Sequence, residues 1–202
     1  MLALHMNQIE SPLGKLLLVT DEEHRVRALE FSDHRLRLNR LLHEHYGEYS
    51  LAEVAPDEAD QKIIGKLDRY FRGDLTAVED IPVVTHGNEF EEQVWAALKH
   101  IPAGEVVTYG HIAKQLGHTD PRKAVDVGAA VGANPAQVFV ACHRVIGANG
   151  NLKGYAGGRH RKEWLLAHEK ATIPAPKGQG KSGSSTSSVE QESGQTQDLP
   201  GF

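Results

Sequence analysis

The run VVTYGHIAKQLGHTDPRKAVDVGAAVGANP, residues 106–135, stops one helix and starts another only a few positions apart, which sharply limits the folds open to this chain. Thr108 is a good N-cap, Ile112, Ala113 and Leu116 form one apolar stripe, and Gly117 closes the first helix. Asp120–Pro121 then supplies an N-cap followed by proline at the first helical position, so a second helix should run to about Gly132. Two short helices across a tight glycine-containing turn read as a helix-turn-helix. The second helix is almost free of bulk (Ala124, Val125, Val127, Gly128, Ala129, Ala130, Gly132). Such a face suits close helix packing, or close approach to a narrow surface such as a DNA minor groove. Arg122 and Lys123 in its first turn would meet phosphates or be solvated.

Elsewhere the pattern predicts an α+β protein. Leu16–Val19 and Val26–Phe31 read as a strand pair around the polar turn Thr20–Glu23. Helical spacing follows over residues 33–48 (Leu36, Leu38, Leu41, Leu42) and from Asp57 to Phe71. The loop-like residues 72–88, with Pro82 and Gly87, separate a small antiparallel-sheet domain with helices (1–85) from a mostly helical one (86–171). In the second domain Phe90, Val94, Trp95 and Leu98 share a helix face that ends before Ile101–Gly104. From Thr172 the chain turns to Gly, Ser, Gln, Thr and Pro, and residues 172–202 are expected to be a disordered tail.

No apolar run is long enough to span a bilayer, and the amino terminus lacks the pattern of a secretory signal. A single cysteine allows no internal disulfide and suits a reducing interior. The net charge of −5 argues against nucleic acid, yet residues 86–170 carry +2 and residues 1–85 carry −6. That asymmetry permits a DNA-facing surface without demanding one.

The one thiol, Cys142, follows the apolar Val138–Ala141, which reads as a buried strand or extended core segment. Free cysteine is commonly a small buried hydrophobe, so burial alone accounts for it about as well as chemistry does. The adjoining His143–Arg144 tilts the balance, because nearby positive charge favours the nucleophilic thiolate. A histidine base needs an orienting carboxylate, and RKEWLLAHE offers Glu163 and Glu169. The glycine-hinged loop Gly147–Gly158, with Tyr155 as its aromatic, is a surface hairpin or a flap over a flat ligand. Twelve scattered histidines show no metal-ligand spacing beside a second cysteine, so no metal site is expected.

Cys142–His143–Arg144–Val145–Ile146–Gly147, then Gly154–Tyr155–Ala156–Gly157–Gly158 and Lys162–Glu163–Trp164–Leu165–Leu166, resembles the O6-alkylguanine-DNA alkyltransferases. The matching order runs from about Phe90 to Glu169, with TYGHIA and Asn134–Pro135 included, and the SPLG start fits the family's amino-terminal domain. The resemblance implies direct reversal of DNA damage: an alkylated guanine is flipped from the duplex and its O6-alkyl group passes once, irreversibly, to Cys142. It implies that His143 draws the thiol proton through a water and that Glu169 orients the imidazole. Asn134 would brace the reactive segment, and Tyr109 would donate a proton to the base and support flipping. Tyr155, Val145 and Ala156 would line the base pocket. Arg122, Lys123, Ala124, Val125 and Gly128 would meet the minor groove. The partner would be double-stranded DNA, the protein a monomer, and its place the cytoplasm, nucleoid or nucleus. Two positions depart from the family pattern: Ala141 stands where a proline is usual, and Val125 where an arginine fills the space left by the flipped base. A non-catalytic lesion sensor and a cysteine hydrolase are the alternatives. Cys142 weighs against the first, and no motif supplies an oxyanion hole for the second.

Overall fold

The computed structural model describes residues 1–174. The expectation of a disordered tail therefore lies almost wholly outside the described residues. The amino-terminal half is a four-stranded sheet, β1 (Leu2–Ile9), β2 (Leu16–Asp21), β3 (Val26–Phe31) and β4 (Tyr49–Glu53), with helices α1 (Arg35–Tyr46) and α2 (Glu58–Phe71). The strand order is β3-β2-β1-β4. The β2–β3 pair is antiparallel, as expected; β1 pairs antiparallel with β2, and β4 adds a parallel strand beside β1. Sequence reading found neither β1 nor β4, because β4 is short and mostly exposed and β1 holds polar His5, Asn7 and Gln8 among its apolar residues.

β2 and β3 are buried on both faces, which explains their nearly continuous apolar runs. The period of two divides them between two cores. Leu17, Val19 and Ala28 pack with Leu38 and Leu42 of α1. Leu16, Leu18, Leu29 and Phe31 face the other way, toward Leu67 and Tyr70 of α2 and onward to Trp95, Val127, Cys142 and Leu165. One core is therefore shared by both halves of the chain.

The carboxy-terminal half comprises α3 (Glu89–Lys99), β5 (Val107–Thr108), α4 (Tyr109–Gln115), α5 (Lys123–Gly132), β6 (Val145–Ile146) and α6 (Arg159–His168). A capping box between Asn88 and Glu91 starts α3. The Thr108 side chain accepts from His111 N at 3.1 Å and starts α4. Gly117 ends that segment at φ +84°, where a side chain would be strained. Asp120 accepts from Arg122 N at 2.9 Å and opens the turn into α5. The first helix is built as its local signals dictate, but α5 starts later than expected: Asp120 and Pro121 form a turn, and Arg122 holds the N-cap position without a side-chain cap. The helix-turn-helix is held to α3 by the Trp95 indole, which donates to Ala130 O at 2.8 Å.

The otherwise open edge of β3 matters most for the site. Val26 exchanges backbone hydrogen bonds with Pro82 and Val84, and Leu29 with Pro135 and Gln137. Covering that edge removes a pairing hazard. It also anchors the stretch leading to Cys142 on a strand buried along its whole length.

Candidate active site and nucleic-acid interface

Residues 136–141 are neither a sheet strand nor a long extended segment. They form a chain of tight turns, with Val140 N donating to Ala136 O at 2.9 Å and Cys142 N to Val140 O at 2.7 Å. Val138 adopts φ +71°, a costly backbone for a β-branched residue. Cys142–Arg144 then make a single 3-10 turn. Asn134, fully buried, holds this arrangement together. Its amide donates to Val140 O at 2.9 Å and to Cys142 Sγ at 3.0 Å, while its carbonyl accepts from Ala136 N at 2.9 Å.

Cys142 is 3% exposed. Burial pushes its thiol pKa up, against opposing pulls from the Asn134 hydrogen bond and from the charges of Arg37 and Lys162. The expectation that Arg144 favours the thiolate needs correcting, because its guanidinium is spent elsewhere. Arg144 Nε and Nη2 donate to Glu169 at 2.8 and 2.7 Å, and Nη1 donates to Ile101 O.

Of the two carboxylates, Glu169 is the one that meets His143. Glu163 lies on the surface, paired with Arg159 at 2.7 Å. Glu169 Oε1 also accepts from His143 Nε2 at 2.9 Å and from the Tyr70 hydroxyl at 2.6 Å. Burial by itself would raise the carboxyl pKa, but hydrogen bonds from Arg144 and His143 hold it far below the usual range. A carboxylate only accepts, so the proton of neutral His143 sits on Nε2 and the lone pair on Nδ1. Burial keeps His143 neutral by lowering its pKa, and Nδ1 has no protein partner among the described residues. That nitrogen keeps a free lone pair.

Two tyrosines flank the thiol. Burial and the neighbouring Cys142 raise the pKa of both Tyr109 and Tyr155, so both keep their protons at neutral pH. The Tyr155 hydroxyl is buried and has no hydrogen-bond partner among the described residues. Tyr109 lies between Gly128 and Gly154: a methyl group on the first would sit 3.8 Å from its ring, and one on the second 3.2 Å from its hydroxyl. Gly157 has no room for a side chain, since a Cβ there would fall 2.6 Å from Tyr155 and 2.7 Å from Gln137 and Phe31. Val145 is buried, and its carbonyl accepts from the fully buried Lys162 Nζ, whose pKa burial lowers to about 8. Ala156 is half-buried beside Tyr155.

α5 packs one face of small residues into the core and leaves another exposed. Val127, Ala130 and Val131 are buried in the core, while Val125 is 74% exposed. Ala124 and Gly128 are half-buried between those faces. Tyr109, Pro121, Ala124, Val125 and Ala148 line a groove of about 440 Å³ beside the helix-turn-helix. Arg122 and Lys123 are exposed or half-exposed and pair with Asp120 and Asp126 at 2.9 and 2.8 Å. Sequence reading missed Tyr70 and Lys162. It also missed a buried cluster in which Arg37 pairs with Glu30 and donates to Gly132 O and to Asn134 O (3.0 Å). Only a charged residue at an apolar helix position hinted at any of these.

Residues 4–85 match the 6-O-methylguanine DNA methyltransferase ribonuclease-like domain, and residues 89–171 match the DNA-binding domain of the same proteins. The chain belongs to the 6-O-methylguanine DNA methyltransferase family. It is 46% identical over 169 residues to the methylated-DNA–protein-cysteine methyltransferase of Salmonella typhimurium, covering 84% of this chain and 97% of the relative. The Mycobacterium tuberculosis relative of the same name is 40% identical over 175 residues, covering 85% and 96%. The crystal structure of Mycobacterium tuberculosis OGT in complex with DNA superposes with a TM-score of 0.66 at 36% identity, covering 82% of this chain and 92% of that one. The O6-methylguanine-DNA methyltransferase of Pyrococcus kodakaraensis superposes at 0.56 with 25% identity, covering 82% and 98%. The methyltransferase family thus spans nearly all of the described chain.

Proposed function

We propose that the protein repairs DNA by moving an alkyl group, methyl foremost, from guanine O6 to Cys142. The observation that carries this reading is the buried relay in which Glu169 accepts from His143 Nε2 and Asn134 donates to Cys142 Sγ. His143 Nδ1 takes the thiol proton through a water, and Sγ attacks the alkyl carbon in line. The carbon–O6 bond breaks, its electron pair stays on guanine, and the Tyr109 hydroxyl protonates the leaving base. A thioether has no route back to thiol here, so each molecule acts once. The step itself calls for no metal or organic cofactor.

A thiol only 3% exposed cannot reach an atom inside a base stack, so the guanine must be turned out to meet it. Tyr155, Val145 and Ala156 receive the base. The small-residue face of α5, at Ala124, Val125 and Gly128, enters the minor groove, and Arg122 and Lys123 meet phosphates. Every group in this scheme comes from one chain, which therefore works as a monomer wherever DNA lies, in cytoplasm, nucleoid or nucleus. Among the described residues no helix is long and apolar enough to cross a membrane.

Mass spectrometry of the intact protein after mixing with O6-methylguanine duplex tests this. One added methylene on Cys142, absent in Cys142→Ala, is expected. Tight binding without an adduct would mark a lesion sensor instead, and many turnovers per protein would overturn the single-use mechanism.

A further inference from the structure

Tyr70 reaches the thiol relay from the other half of the chain. It lies in the last turn of α2, fully buried, and its hydroxyl donates to Glu169 Oε1 at 2.6 Å. The residue is also held from a second side. Its carbonyl oxygen accepts from His168 Nε2 at 2.7 Å, and the two rings meet edge to face with centroids 5.4 Å apart. His168 in turn stacks on Trp164 at 4.8 Å. The end of α2 is thereby fastened to the end of α6, where Glu169 is the C-cap.

A core tyrosine needs one acceptor for its hydroxyl, and any buried carbonyl would serve. Here the acceptor is the oxygen that already receives His143 Nε2 at 2.9 Å and Arg144 Nη2 at 2.7 Å, while Oε2 receives Arg144 Nε at 2.8 Å. Three donors therefore share the charge of Oε1, and each takes part of what would stabilise an imidazolium at His143. Burial pushes the Tyr70 pKa up, so its hydroxyl remains a donor at neutral pH. The other charges facing His143 are Arg144 on its own turn and Lys162 on α6, and both disfavour the imidazolium. Without the hydroxyl, Oε1 would hold more charge against His143 Nε2, and the ring would keep a proton more tightly.

We propose that Tyr70 is a positioning residue for alkyl transfer: through Glu169 it fixes the imidazole of His143 and limits how strongly that ring holds a proton. The inference rests on the alkyl-transfer reading above. It makes the amino-terminal half a working part of the relay as well as its support.

The test compares the full chain with Tyr70→Phe, which keeps the ring and removes the donor. Adduct formation with O6-methylguanine duplex is timed from about pH 4.5 to pH 9. The His143 imidazole, assigned by its absence in His143→Gln, is titrated by NMR without DNA. In Tyr70→Phe the acid limb of the rate profile and the His143 titration should both move up by about half a unit to one unit. Transfer below the limb should slow by the matching factor of roughly 3–10. Site-specific 3-fluorotyrosine at position 70, a stronger donor that fills nearly the same space, should move both the other way. A limb and a titration that stay in place in both proteins, or that move in the opposite senses, would overturn the proposal, and a lower urea midpoint alone would make Tyr70 a core residue only. Absence of an adduct in wild type would count against the alkyl-transfer reading instead, and the titration without DNA would still judge the hold of Tyr70 on His143.

Discussion

Asn134 touches the thiol, the turn before it and the turn after α5, so its loss has two separable consequences. Asn134→Ala removes the hydrogen bond that pulls the Cys142 pKa down. The pH–rate profile for alkyl transfer should move to higher pH, with about 1.5–3 kcal/mol of thiolate stabilisation gone. A profile that stays in place while the fold weakens would make Asn134 purely structural. Lys162 gives a second test at this scale. Its folded pKa of about 8 lies below its ordinary 10.5, so between those values the unfolded chain holds the proton and the folded chain does not. Stability contributed through Lys162 therefore rises with pH across that window, by roughly 3 kcal/mol. Denaturation of wild type against Lys162→Met from pH 7 to 10.5 should show wild type gaining on the variant, and a constant difference would contradict the burial argument.

Among the elements, the helix-turn-helix was the most legible. Its boundaries at Thr108 and Gly117 are local chemistry, and the Asp120 turn places the start of α5 within three residues of its signal. The two faces of α5 were not legible, because Val125 and Val127 look alike until Trp95 and the core define an inside. Val125 being exposed, Val125→Arg should change stability by no more than about 0.5 kcal/mol. It should tighten binding to lesion duplex by about 3–10-fold at low salt and steepen the salt dependence. Binding and transfer rate both unchanged in a filter-binding and adduct assay would show that this position does not meet DNA. The segment before Cys142 was misread for the opposite reason. Its apolar composition suggests a strand, but the hydrogen bonds to Asn134 and Leu29 fold it into turns.

At the scale of the whole molecule, Arg37 joins the halves. From α1 it reaches Glu30 on β3 and the carbonyls of Gly132 and Asn134, at the end of α5 and the start of the reactive segment. Glu30 is 1% exposed and, against burial that raises its pKa, Arg37 is its strongest source of opposite charge. Arg37→Gln leaves that carboxylate without its counter-charge and should cost about 3–5 kcal/mol in denaturant unfolding. Transfer to Cys142 should slow as well, since Asn134 loses a support. A loss below about 1 kcal/mol would mean that the halves are held by apolar packing alone.

The motif around Cys142 and most helix ends follow from short stretches of sequence, because caps, glycines, prolines and apolar periodicity act over a turn or two. The choice of Glu169 over Glu163, the spending of Arg144 on that carboxylate, the Glu30–Arg37 support and the reach of Tyr70 to Glu169 belong to the tertiary structure. Each joins residues far apart in the chain or depends on which face of a helix is buried, and only the packed core decides that.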